Sequence, residues 1–247
     1  MARKSTNSNT RANIEHKEKY DCPKTLSGHP FFGLKLDREQ EVFRDAIWDD
    51  SYDIVFCDSK SGSGKTTIAV STALLLCEYG KYNGVVYQVA GGVHEYKQGL
   101  LPGNLEEKSA PLFIPLNQAV ARIGYDPQRT IVTDYNIMSQ KEGSAIITAS
   151  TDSYIRGISI GEIDSPMVVI LDEAQNYTLA GLRTALTRIN DGSKAIVIGQ
   201  TKQCDLKYPQ DSGFDRMMRH FSEKEWCKVC TLSKNYRGRI SSWADEL

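Results

Sequence analysis

Lys65 and Thr66 follow Gly64 in the run Ser59-Lys60-Ser61-Gly62-Ser63-Gly64-Lys65-Thr66-Thr67, which only Asp58 separates from the apolar residues Ile54 to Cys57. These residue types at this spacing suit a nucleoside triphosphate. Gly62 and Gly64 let the main chain bend closely around phosphates, so that consecutive N–H groups and a helix N-terminus face the anion. Lys65 supplies a point charge for the β- and γ-phosphates, and Thr66 offers a hydroxyl to Mg²⁺. Ser61, Ser63 and Thr67 belong to the same cradle. Ser59 stands where such loops usually carry glycine, a residue that eases the turn rather than binding.

A second pair of capable side chains, Asp172 and Glu173, ends the apolar run Met167 to Leu171. A parallel strand that finishes in two carboxylates sets them at the sheet's carboxyl edge, beside a phosphate loop. Asp172 is the type to hold Mg²⁺, and Glu173 the type to polarise an attacking water. Upstream, Gln40 carries an amide donor and acceptor able to read an adenine edge. Cys227 and Cys230 form a C-x-x-C pair within an alternating strand pattern, which favours structural cysteines over half a zinc site.

The elements that position these groups alternate. Asp37 reads as the N-cap of a helix carrying Val42, Phe43, Ala46 and Ile47 at helical spacing, with Gln40 at its third position. A strand precedes the phosphate loop and a helix follows it through Leu74–Leu76. Further strands are expected at 84–89, 145–148, 167–171, 195–198 and 227–232. Helices are expected around 111–123, after Thr178, around 212–220 and near the C-terminus. Alternation of this kind predicts an α/β domain with five or six mostly parallel strands flanked by helices. Residues 1–24 are polar, basic and without apolar periodicity, so they read as a flexible arm, with 25–247 as the folded domain.

The chain has 247 residues and a formal net charge of −1, so no global basic field announces nucleic acid. Six cysteines without a regular framework, and no signal segment, point to a reducing cytoplasmic setting. No apolar run approaches the ~18 residues of a membrane span.

The motifs GSGKTT, LLPGNLEEK, YIRG, VVILDEAQN, LTRI and IGQTKQCDL together resemble the PhoH family of P-loop ATPases, from about Leu36 onward. DEAQ, IGQTKQ and LSKNYRG look like motifs of the superfamily 1 helicase core. The resemblance implies a single RecA-like P-loop NTPase domain that uses ATP and Mg²⁺ and contacts RNA or single-stranded DNA. It also implies a homo-oligomeric ring, a hexamer, and the short form is similar to PhoH-like proteins of phages. By the same likeness Gln40 reads adenine, Gln175 couples hydrolysis to movement, Gln203 senses the γ-phosphate and Arg237 is an arginine finger. Arg188 and Arg156 are further candidates for that finger. With one core in the chain, Arg237 is expected to act on a neighbouring subunit. Gln200 stands where the family usually has aspartate. Two other readings are an ATP-binding regulator with little turnover and a small-molecule kinase.

Overall fold

The computed structural model describes residues 22–90, 110–133, 145–151 and 159–244. Within them seven strands form one sheet: β1 (Ile54–Ser59), β2 (Val85–Val89), β3 (Ile131–Thr133), β4 (Ile147–Thr151), β5 (Val168–Asp172), β6 (Lys194–Gly199) and β7 (Cys227–Leu232). Their spatial order is β3-β4-β2-β5-β6-β1-β7, and every pairing is parallel. Six of these strands lie where the apolar runs place them. The short β3 escapes sequence reading because three residues carry too little periodicity to separate from a loop.

Helices cover both faces, as parallel strands buried on two sides require. On one face lie α1 (Arg38–Trp48), α2 (Lys65–Glu78) and α3 (Ile114–Arg122), followed by the single turn α4 (Pro127–Thr130). Phe43, Ile68, Leu74 and Leu116 from that face pack on Val55, Val85, Val168 and Ile170. On the other face α5 (Leu179–Leu186) and α6 (Phe214–Phe221) bring Leu182, Ala185, Phe214 and Met217 onto Ile54, Phe56, Val169 and Val197. A last helix, α7 (Arg239–Ala244), buries none of its residues.

Strand alternation separates the two cysteines of the C-x-x-C pair. Cys227 packs into the α5/α6 face and Cys230 into the α1/α2 face, because residues three apart on a strand point to opposite sides. Burial pushes both thiols up to about 11, so neither is a ready thiolate ligand. All six cysteines are free. Among the described residues no helix is long and apolar enough to cross a membrane.

Candidate active site

The phosphate loop leaves the carboxyl end of β1 and enters α2 at Gly64, whose φ of 87° lies in the left-handed region that glycine tolerates. No side chain caps the N-terminus of α2. Its first N–H groups therefore stay open to an anion, where the helix dipole also favours negative charge. Ser63 is buried within the loop and its Oγ has no hydrogen-bond partner. An uncapped helix start, left-handed glycines and an orphaned hydroxyl fit a bound polyphosphate. Ser59 is the last residue of β1, buried, with its Oγ donating to the Gly199 oxygen at 3.3 Å. Its main chain is ordinary strand, so the departure from glycine costs the loop nothing.

Sheet order brings the second pair to this loop. Asp172 ends β5 on the same face as Val168 and Ile170, under α2. Thr66 Oγ1 donates to Asp172 Oδ2 at 2.8 Å, and the Tyr87 hydroxyl donates to the same oxygen at 2.7 Å. The other oxygen, Oδ1, accepts from the Glu173 N–H at 2.7 Å. Burial pushes the Asp172 carboxyl above its ordinary range, the Glu173 charge adds to the rise, and Lys65 opposes it. A divalent cation would relieve that cost, and Thr66 Oγ1 with Asp172 makes the sparse oxygen set Mg²⁺ uses beside phosphates and water. Tyr87 was not anticipated: it lies within an apolar strand run, and only its cross-strand reach to Asp172 reveals it.

Glu173 sits at φ 50°, one of two described non-glycine residues with positive φ. That conformation turns its carboxylate back toward the loop, where Oε1 lies 3.6 Å from Lys65 Nζ. Oε2 accepts from Gln175 Nε2 at 2.6 Å. The Gln175 side-chain oxygen Oε1 in turn accepts from the Gln200 main-chain N–H at 2.9 Å. A continuous path thus runs from Glu173 to the exit of β6. Because its last link is a main-chain donor, glutamine at position 200 leaves it intact. Gln203 lies beyond on the exposed turn, its N–H donating to the Gln200 oxygen at 3.1 Å.

Gln40 joins α1 to the loop. It completes a capping box with Asp37, and its Nε2 donates to the Ser63 oxygen at 2.8 Å. Gln40 also lines a pocket of about 150 Å³ with Leu36, Ile68, Arg122 and Tyr236.

Arg237 Nη1 donates to Ser61 Oγ at 2.8 Å, and the Tyr236 N–H donates to the Gly62 oxygen at 3.0 Å. A Cβ at Gly62 would fall 2.7 Å from Arg237 Cγ, so glycine is what allows this segment to lie on the loop. Arg237 thus reaches the phosphate loop of its own chain. Two anchors to α1 hold the segment: Ser233 on Glu39, with its N–H at 2.6 Å, and the Tyr236 hydroxyl on Asp37. Arg188 is half-buried just after α5, its main-chain oxygen accepting from the Ile160 N–H at 2.8 Å. Arg156, the LPGNLEEK run at 101–108 and nearly all of the 1–24 arm lie outside the described residues.

A family model described as PhoH-like protein matches residues 35–244. A PhoH-like protein of Synechocystis sp. is 31% identical over 183 residues, covering 74% of this chain and 52% of that one. The PhoH-like protein of Bacillus subtilis is 32% identical over 161 residues, covering 65% and 46% respectively. The chain thus spans about half the length of these curated relatives. Among solved structures, the HK97 bacteriophage large terminase aligns with a TM-score of 0.49 at 13% identity, over 86% of this chain and 43% of that one.

Proposed function

The chain belongs to the PhoH family, and from that premise we propose that it hydrolyses ATP with Mg²⁺ and couples hydrolysis to RNA or single-stranded DNA. One juxtaposition carries the reading: Thr66 meets Asp172 at 2.8 Å while Lys65 lies 3.6 Å from Glu173. Phosphate loop and paired carboxylates, 106 residues apart in sequence, form one site.

In the proposed reaction Lys65 and the uncapped N–H groups at the start of α2 hold the β- and γ-phosphates. Thr66 and Asp172 would hold Mg²⁺, which would supply charge neutralisation at the phosphate oxygens. Glu173 orients a water against the γ-phosphorus and takes its proton. Its present bond to Gln175 and nearness to Lys65 mean that an incoming triphosphate competes for Lys65 and frees Glu173 toward the water. Arg237 sets its guanidinium beside the loop, where it balances charge that develops on the transferred group. The base rests in the pocket between Gln40 and Tyr236.

Nucleic acid enters the reading through the path from Glu173 by Gln175 to Gln200, which ends at a surface cleft of about 530 Å³ lined by Lys60, Lys202, Thr231 and Ser233. A cleft with two lysines at the carboxyl ends of β1, β6 and β7 suits a phosphodiester chain. Reduced thiols fit a cytoplasmic setting. Assembly of copies into a ring, six by family likeness, completes the proposal.

Phosphate release from MgATP, alone and with single-stranded RNA, single-stranded DNA or duplex, tests it. Turnover is expected, raised by single strands and lowered again as salt increases. Nucleotide binding by calorimetry without any turnover overturns the hydrolase reading. Equal turnover with and without polynucleotide at low salt overturns the coupling.

A further inference from the structure

Ser233, the first residue beyond β7, gives both of its donors to one carboxylate. Its N–H donates to Glu39 Oε2 at 2.6 Å, and its hydroxyl oxygen lies 2.8 and 2.9 Å from Glu39 Oε1 and Oε2. A main-chain N–H beside a serine hydroxyl is a donor pair that proteins commonly turn toward the phosphate oxygens of a nucleic acid. The two oxygens of a carboxylate and the two non-bridging oxygens of a phosphodiester offer that pair the same acceptors. Glu39 is thus an anion resting on donors suited to a phosphate.

Two lysines share the space around Ser233. With Lys60, Lys202 and Thr231 it lines the cleft of about 530 Å³ at the carboxyl ends of β1, β6 and β7. The Lys60 N–H donates to the Leu232 oxygen at 3.0 Å, which fixes Lys60 beside Ser233. Thr201 donates its N–H and its hydroxyl to the two oxygens of Asp58, at 3.0 and 2.9 Å, and so holds the turn that carries Lys202 against the end of β1. Those bonds also engage both oxygens of Asp58, the acid on the cleft wall.

We propose that Ser233, Lys60 and Lys202 form a seat for one phosphodiester group of a single strand, and that Glu39 holds the serine donors at rest as the anion which the strand displaces. The inference rests on the nucleic-acid reading above and names its contact. The lysines supply the charge that draws the strand in, and exchange of one anion for another leaves neither donor of Ser233 unpaired. The seat is also joined to the nucleotide site along the chain. Three and four residues beyond Ser233, Tyr236 donates its N–H to the Gly62 oxygen and Arg237 reaches Ser61. Releasing Ser233 from Glu39 loosens the first of the anchors that lay this segment on the phosphate loop, so a seated strand is felt beside the proposed ATP site.

Anisotropy of fluorescent oligothymidylate and oligouridylate, titrated with the whole chain without nucleotide, reads the seat independently of turnover. Glu39→Gln keeps the size of the side chain and removes its charge. Whichever oligonucleotide the parent prefers is expected to bind this variant about tenfold more tightly, the worth of one hydrogen bond to a charged group. Lys202→Gln and Lys60→Gln are each expected to weaken binding and to flatten the slope of log affinity against log salt by about 0.7, one counterion fewer released from a single strand. All three variants should keep the parent's circular dichroism. A folded Glu39→Gln that binds no more tightly than the parent, or lysine variants with the parent's salt slope, overturns the seat. Displacement of the oligonucleotide by inorganic phosphate at matched ionic strength overturns it too, and assigns the donors to the free ion. A parent that binds neither oligonucleotide removes the seat and the coupling reading together. A parent that binds as expected, yet turns over ATP equally with and without strand, loses the coupling and keeps the seat.

Discussion

Tyr87 donates its hydroxyl hydrogen to Oδ2 of Asp172 at 2.7 Å, the same oxygen that accepts from Thr66. The contact spans neighbouring strands, with Val89 rather than Tyr87 directly opposite Asp172 in the register. Burial drives the Tyr87 phenol well above its ordinary pKa, and the Asp172 charge adds to that, so the hydroxyl remains a donor. The carboxylate is thereby oriented by two donors before any cation arrives. Partners that orient a metal ligand typically matter by about 10- to 100-fold in metal affinity. Tyr87→Phe keeps the ring and removes the donor. The metal concentration needed for half-maximal binding of an ATP analogue is expected to rise by about tenfold, with metal-free nucleotide binding unchanged. Calorimetry at a series of Mg²⁺ concentrations decides it; an unaltered metal dependence refutes the orienting role.

Lys65 and Glu173 separate binding from turnover. Lys65→Ala removes the ammonium proposed to face the phosphates, and a folded variant is expected to lose nucleotide binding altogether. Glu173→Gln keeps the shape and the contact with Gln175 but cannot take a proton from water. Binding should persist while hydrolysis falls by about 10²- to 10⁴-fold, the usual cost of losing a general base. Parallel calorimetry and phosphate release check both, and a Glu173→Gln variant that hydrolyses at the parent rate places the base elsewhere.

Arg237 lies 2.8 Å from Ser61 of its own chain, so it is expected to serve its own site. Arg237→Ala should bind nucleotide yet lose most turnover. Subunits carrying Arg237→Ala, mixed with subunits carrying Glu173→Gln, should recover no activity, because each site lacks one of its own groups. Recovery on mixing would show that the arginine works between copies.

The ammonium of Lys194 is buried at the amino-terminal end of β6 and donates to the main-chain oxygens of Asp49 and Tyr52 at 2.7 and 2.6 Å. Burial pulls its pKa down from 10.5 to about 8. Between those values the unfolded chain binds more proton than the folded one, so stability from this group rises with pH. Below about 8 both states are charged and the full cost of burying the charge is present. The unfolding free energy of the parent relative to Lys194→Met is therefore expected to be flat below pH 8. It should climb by ~2–3 kcal/mol toward pH 10.5. Urea unfolding of both proteins across that range measures it, and a difference that stays constant or falls removes the buried-ammonium account.

Contiguity explains what was legible without coordinates. The phosphate loop, Asp172 with Glu173, the capping box of Asp37 and Gln40, and six of seven strands each depend on residues near one another in the chain. Turn chemistry, caps and strand or helix periods are local properties. The C-x-x-C pair was legible for the same reason, since an alternating strand sends residues three apart to opposite faces.

Sheet order is a property of the whole core, set by which apolar faces bury one another, and no local period encodes it. That order, with β6 between β1 and β5 and β2 on the far side of β5, is what carries Tyr87 to Asp172 and Gln175 to Gln200. The same holds for the carboxyl end of the chain. NYRG reads as a motif, but only the anchors to Glu39 and Asp37, and the missing side chain at Gly62, lay Arg237 on its own loop. Residue types and local spacing thus determined the phosphate-loop motif before α2 and the carboxylate pair at the end of β5. Tertiary packing decided which distant groups orient those side chains, and that Glu39 meets Ser233.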